Sequence, residues 1–147
     1  QPEIFGMVVK SENDSRKETE KYFKSGLREN QAEDYLQKII SFVEKNKPYL
    51  DRDLTIHELS GMMGIPRRHI TQVLNEKHKR NFFTFINEYR VKEVMERFSD
   101  PEYNNYTILA IAFDVGFNSK TAFNSIFKHH TGLTPSQYRV KNTGITG

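Results

Sequence analysis

The sequence repeats itself. Thr55–Gly64 (TIHELSGMMG) and Thr107–Gly116 (TILAIAFDVG) each begin on threonine and end on glycine, and a short turn and a second amphipathic segment follow each of them. A shift of 52 places Leu59 on Ile111, Ser60 on Ala112, Met63 on Val115 and Gly64 on Gly116. After the turn the shift becomes 53, which places Ile70 on Phe123, Leu74 on Phe127, Phe82 on Pro135 and Phe85 on Tyr138. A short helix, a tight glycine-containing turn and a second helix form the helix-turn-helix pattern. The small side chain at Ser60 or Ala112 lets the two helices approach closely, and Gly64 and Gly116 supply the left-handed backbone of the turn. Any helical bundle can mimic one such unit. Two in tandem are a much narrower constraint.

The remaining segments read as helices around these units. Tyr35, Ile39, Phe42 and Val43 recur at three-to-four-residue intervals and predict a helix over about 31–46, closed by Pro48. Thr55 with Glu58 is a capping box for the helix that carries Ile56, Leu59, Met62 and Met63. Pro66 opens the next helix, with Ile70, Val73, Leu74 and Lys77 on one face. A long helix over about 82–98 bears Phe82, Phe85, Ile86, Tyr89, Val94 and Phe98. Asp100-Pro101 and Asn104-Asn105 break the pattern. Thr107 caps a short helix, Ser119 caps another to about His130 that ends at Gly132, and Pro135 begins a last one through Lys141. Nothing alternates like a strand, so the expected fold is all-α. Residues 1–30 are polar and mixed in charge apart from Ile4–Val9, and read as a linker or flexible arm ahead of a folded domain over 31–147. The chain opens on Gln1 without an initiator methionine, which leads to the expectation that it is a piece of a longer protein.

Charge is concentrated where the second helix of each unit lies. Residues 66–80 carry five basic groups and one acidic group, and residues 118–132 carry two lysines and no acid. Residues 31–65 and 81–117 are net acidic, by two and three charges respectively. Two basic segments in matching places of a repeat point to a polyanion partner. The chain has no cysteine, which excludes disulfides, thiolate metal sites and cysteine nucleophiles. Its histidines (His57, His69, His78, His129, His130) match no usual metal spacing. No phosphate-cradling glycine loop, nucleophile elbow or paired carboxylates appear, so no metal, cofactor or catalysis is expected. No apolar run approaches a membrane span.

The stretch AFDVGFNSKTAFNSIFKHHTGLTPSQYR, residues 112–139, resembles the C-terminal signature of AraC/XylS-type bacterial transcription regulators, and the likeness extends over about Gln31–Lys141. KPYLDRDLT, VLNEKHKRNFFTFINEYR and DPEYNNYTILAIAF are most similar to Bacteroidetes-type members. The resemblance implies a seven-helix domain with two helix-turn-helix units, about 55–77 and 107–130, joined by a long central helix. It implies double-stranded DNA as partner, with recognition helices 66–77 and 119–130 in successive major grooves of an asymmetric site. The 17-residue central helix would be about 25 Å long, which together with the flanking units approaches the ~34 Å between such grooves. Further implications are contact with RNA polymerase, a homodimer formed through an N-terminal region outside this sequence, and a cytoplasmic location, including as the cytoplasmic part of a membrane-anchored regulator.

Helical geometry gives the residues of the reading face. In 119–130 the stripe Phe123, Ile126, Phe127 and His130 faces the core, and the opposite side shows Lys120, Thr121, Asn124, Ser125 and Lys128. The equivalent side of 66–77 shows Arg67, Arg68, Thr71, Gln72 and Asn75. Position-by-position carry-over assigns bases to Arg68, Thr71, Gln72, Lys120, Thr121, Asn124 and Ser125. Arg67, Asn75, Lys128, Thr55 and Thr107 are expected at phosphates. Arg68 has the fork for guanine, and Gln72 or Asn124 the amide for adenine. His129-His130 reads as one phosphate-facing and one core histidine. Two positions depart from the family pattern. Lys79 stands where the second unit has Gly132, so it must adopt a left-handed backbone or the helix must end differently. Pro66 stands where a capping serine is usual. The alternative to a DNA reader is a helical protein-interaction or dimerisation module, whose binding would not weaken steeply with salt.

Overall fold

The computed structural model describes residues 27–145, and the arm expected over the preceding residues lies outside them. Among the described residues there are seven α-helices, two 3-10 turns and no strand. The helices are α1 (Glu29–Asn46), α2 (Ile56–Met63), α3 (Arg67–Lys77), α4 (Phe82–Phe98), α5 (Ile108–Asp114), α6 (Lys120–Thr131) and α7 (Pro135–Thr143). The 3-10 turns are Pro48–Leu50 and Pro101–Tyr103. The all-α reading and the breaks at proline and glycine therefore hold. Helix α1 starts two residues ahead of the expected position, and Leu27 before it is fully buried. Pro66 is the N-cap of α3, not its first residue, and α7 runs two residues past Lys141.

The chain forms two compact units. Residues 27–46 with Ile56–Asn81 make the first, and Lys47–Thr55 with residues 82–145 make the second. In the first unit α3 packs on α1 and α2. Ala32, Leu36, Ile39 and Val43 of α1 are buried, as are Leu59 of α2 and Ile70, Val73 and Leu74 of α3. Only Leu59 of the apolar positions on α2 is buried, and Met62 is 53% exposed, because eight residues offer little more than one inward row. Lys77 closes α3 with ion pairs to Glu29 and Glu33 of α1.

The second unit has an aromatic core. Val91, Val94 and Phe98 of α4 meet Ile111, Ala112, Val115 and Phe117, and Phe123 and Phe127 of α6 complete the cluster. Phe123 lies between Phe117 at 5.0 Å and Phe127 at 5.7 Å, and Tyr138 of α7 sets its ring edge-on to Phe127 at 5.5 Å. Such offset and edge-on pairs add to the burial of area itself. The stripe expected on α6 is thus correct for Phe123 and Phe127, with Ile126 half-buried. It is wrong for His130, which is exposed together with His129. The apolar stripe ends at Phe127 because the last turn of α6 runs out past the core, where the chain needs Gly132 (φ 82°) to turn into α7.

Two glycines of the repeat play different parts. Gly64 (φ 68°) ends α2 in open space, and a Cβ there would meet nothing within 4 Å. Gly116 (φ 111°) is covered, and a Cβ would lie 2.2 Å from the carbonyl oxygen of Tyr49 and 2.5 Å from Nε of Arg90. Gly116→Ala should therefore lower unfolding stability by more than about 2 kcal/mol, whereas Gly64→Ala should lower it by about 1 kcal/mol from backbone strain alone. Phe123→Ala and Phe127→Ala should each cost about 3–5 kcal/mol. Urea denaturation of the four variants measures this order, and equal losses for the two glycine variants would contradict the close approach at Gly116.

Candidate nucleic-acid interface

Each unit presents its second helix with the apolar side inward and a polar side exposed. On α6, Lys120, Thr121, Asn124, Ser125 and Lys128 are all exposed. The helix contains no acidic residue, so its outer face has donors, neutral acceptors and positive charge only. Ser119 holds its start, the hydroxyl oxygen accepting from the N–H of Ala122 at 3.1 Å. On α3, Arg67, Arg68, Thr71 and Asn75 are exposed. Gln72 is half-buried, and its amide donates to Glu76 at 3.3 Å, so of the expected base readers it alone has a partner within its own helix. The N-cap of α3, Pro66, makes no side-chain capping bond, as expected for a residue without a polar side chain.

Thr55 and Thr107 are exposed at the positions just ahead of α2 and α5. The hydroxyl oxygen of Thr107 accepts from the N–H of Ala110 at 3.1 Å, which leaves the hydroxyl proton to donate outward. Lysine 77 differs from its neighbours, since its charge is matched by Glu29 and Glu33 and does not add to the outer face of α3. The positive charge counted over 66–80 is therefore carried to solvent mainly by Arg67, Arg68 and Lys79.

Two arginines that sequence reasoning did not single out hold the entries to the helix-turn-helix segments. Arg139 of α7 is 1% exposed and donates to the carbonyls of Tyr106 at 2.7 Å, Tyr103 at 2.9 Å and Asn104 at 3.4 Å. Its guanidinium also lies 5.2 Å from the ring centre of Phe98. Arg90 of α4 donates to the carbonyls of Tyr49 at 2.8 Å and Asp51 at 3.0 Å, and to the side chain of Asn87 at 3.2 Å. The turn before α5 and the turn before α2 are thus each held by a buried guanidinium through backbone oxygens that no helix satisfies. Burial lowers the pKa of both groups, and at Arg90 the nearby Asp51 carboxylate opposes that shift. Guanidinium stays charged in proteins, so both clamps remain cationic. The 53-residue shift sets Arg139 against Ile86, and Arg90 lies one helical turn beyond Ile86, which hides the equivalence. The signal that could have revealed it is the tetrapeptide Tyr-Arg-Val-Lys, which occurs at both 89–92 and 138–141.

Comparison with known proteins agrees with this architecture. A family model described as a helix-turn-helix domain matches residues 59–141. An uncharacterised helix-turn-helix-type transcriptional regulator of Staphylococcus aureus strain COL is 31% identical over 114 residues, which are 78% of this chain and 14% of that protein. The melibiose operon regulatory protein of Escherichia coli K12 is 26% identical over 108 residues, or 74% of this chain and 34% of that protein. The chain therefore spans a minor part of the length of the curated relatives it matches. Among solved structures, the C-terminal domain of AraT, a response regulator from Geobacillus stearothermophilus, superposes with a TM-score of 0.60 at 20% identity, over 71% of this chain and 83% of that one. That likeness concerns the fold.

Arg139→Lys should destabilise the protein by about 2 kcal/mol, since a single ammonium at this 1% exposed position cannot reach three carbonyls. A urea midpoint equal to the parent's would show that the turn before α5 does not depend on the clamp.

Proposed function

We propose that this chain, which belongs to the AraC-type family of helix-turn-helix domains, reads double-stranded DNA in a sequence-specific manner as part of a bacterial transcription regulator. The observation that carries this is the matched pair of outer faces. In each unit the second helix exposes short polar side chains and lysine or arginine, with no unpaired carboxylate among the residues assigned to contact DNA. A B-DNA major groove accepts such a helix, offers base-edge donors and acceptors to its side chains, and flanks it with phosphates.

The roles follow from side-chain chemistry. Arg68 reads guanine through two parallel hydrogen bonds, and Asn124 reads adenine through its amide. Thr71, Gln72, Lys120, Thr121 and Ser125 contact neighbouring base edges, with Gln72 first giving up its bond to Glu76. Arg67, Asn75 and Lys128 fix the register on phosphates, as do the hydroxyls of Thr55 and Thr107. The two recognition helices enter successive major grooves, and because the units are tandem repeats the site is asymmetric. In the longer protein we place the domain in the cytoplasm, in contact with RNA polymerase, with dimerisation assigned to a region outside this sequence. Among the described residues no helix is long and apolar enough to cross a membrane. The reading calls for no catalytic step and no cofactor.

Selection of bound sequences from a random duplex pool supplies the site, and binding isotherms on it test the reading. The logarithm of affinity should fall linearly with the logarithm of salt concentration, with a slope of about −3 or steeper for several phosphate contacts. Arg68→Ala and Asn124→Ala should keep the parent's circular dichroism and lose about 1–3 kcal/mol for the preferred base only, at positions about one DNA turn apart. Lys128→Ala should weaken all sequences alike and shallow the slope by about one. Salt-independent binding would instead favour a protein-docking module, and uniform losses for Arg68→Ala and Asn124→Ala would remove both from base reading.

A further inference from the structure

Two residues other than glycine have positive φ among the described residues, and both are lysines: Lys47 at 49° and Lys79 at 58°. A left-handed backbone brings the Cβ of an L-residue close to its own carbonyl, so glycine or asparagine is the ordinary occupant. A lysine held there raises the question of what its side chain is used for.

For Lys47 that use is visible. Its ammonium lies 3.2 Å from Oε1 of Glu93, a carboxylate on a residue only 7% exposed that also accepts from Arg97 at 3.0 Å. The strained residue sits where it helps to neutralise a buried charge. Lys79 has no such use within the protein. It is exposed, and no hydrogen bond or ion pair of its ammonium is present among the described residues. Only its backbone carbonyl is engaged, accepting from the guanidinium of Arg80 at 3.1 Å. The neighbouring charge shows the contrast, since Lys77 is held by Glu29 and Glu33 two residues earlier. In the second unit the matching position is Gly132, at φ 82°, and it carries no strain.

Lys79 also lies in sequence where the outer stripe of α3 leads. Arg68, Thr71 and Asn75 are spaced at helical intervals along the exposed side, and Lys79 follows Asn75 by four residues, just past the end of the helix. We infer that Lys79 contacts a DNA phosphate at the exit of the first recognition helix, and that this contact is what its left-handed backbone is kept for. The inference rests on the DNA-reading function and adds to it a contact present in the first unit and missing from the second. It also gives the first unit a positive group to offset the neutralised Lys77.

The test compares three variants of the whole chain on the duplex selected for the parent. Lys79→Gly relieves the backbone and removes the charge, Lys79→Asn keeps a residue that tolerates the left-handed region and removes the charge, and Lys79→Arg keeps the charge. Lys79→Gly should raise the thermal midpoint by about 3–6 °C. It should also weaken DNA binding about fivefold and shallow the salt slope by about one. Lys79→Asn should show the same loss and shallower slope, and Lys79→Arg should bind like the parent with an unchanged slope. If the parent binds DNA and both neutral variants keep its affinity and slope, the inference is overturned while the DNA-reading function stands. A thermal midpoint for Lys79→Gly at or below the parent's would overturn the strain on which it rests. A parent chain that binds no duplex overturns the function and this contact together.

Discussion

The two buried guanidinium groups are the contacts on which the helix-turn-helix geometry depends. Each helix-turn-helix segment is entered through an irregular turn, 48–54 before α2 and 100–106 before α5, whose carbonyls point away from any helix ladder. An oxygen left unpaired and out of water costs on the order of 1–3 kcal/mol, although the carbonyls of Asp51 and Tyr103 also accept from Leu54 and Tyr106 within their turns. Arg90 and Arg139 satisfy them with several donors from one planar group, and so hold the turns that precede α2 and α5 in sequence. Taking a guanidinium out of water is itself costly, and here the cost is offset by carbonyl acceptors, with the face of Phe98 adding to them at Arg139. Arginine suits this position better than lysine, whose single ammonium cannot bridge a turn.

Around Arg90 the second unit is crowded. The carbonyl of Tyr49 accepts from Arg90, and Gly116 of the α5–α6 turn comes close enough that no side chain fits. The Tyr49 hydroxyl points to Glu93, and burial together with that carboxylate raises its pKa well above the ordinary tyrosine value, so the phenol stays protonated and can donate. The connector 47–55, although it lies between two helices of the first unit in sequence, is thus fastened to α4 by Arg90, Lys47 and Tyr49. Helix α4 likewise belongs to the second unit, with Val91, Val94 and Phe98 in its core, and is more than a spacer between two repeats.

The repeat is therefore symmetric in plan and asymmetric in chemistry. The second unit has a serine cap on its recognition helix and glycine at its exit. The first has proline and a strained lysine at those places, and it carries two arginines where the second has lysine and threonine. On the proposed reading, such differences let tandem units of one fold contact different bases. They also make the second helix of the first unit the more strongly charged and that of the second unit the better capped.

Much of this was legible in the sequence because helix signals are local. Capping threonine and serine, glycine stops, proline breaks and three-to-four spacing of apolar residues each act within a few residues, so the seven helices and the repeat follow from the chain alone, while at Lys79 the chain leaves open a left-handed backbone or a different helix end. The outward faces of α3 and α6 follow in the same way, since one stripe of aromatic or aliphatic residues fixes where the opposite side points. What tertiary structure decided was the fate of individual polar groups. Whether His130 reaches the core depends on where α6 leaves it, and whether Lys77 adds to the outer charge depends on two carboxylates 44 and 48 residues away. Arg90 and Arg139 look like ordinary surface arginines in a helix pattern, and only the return of distant turns against them makes them buried clamps. Local propensity is written in neighbouring residues, whereas burial and pairing depend on which remote segments arrive, and the folded chain alone supplies that.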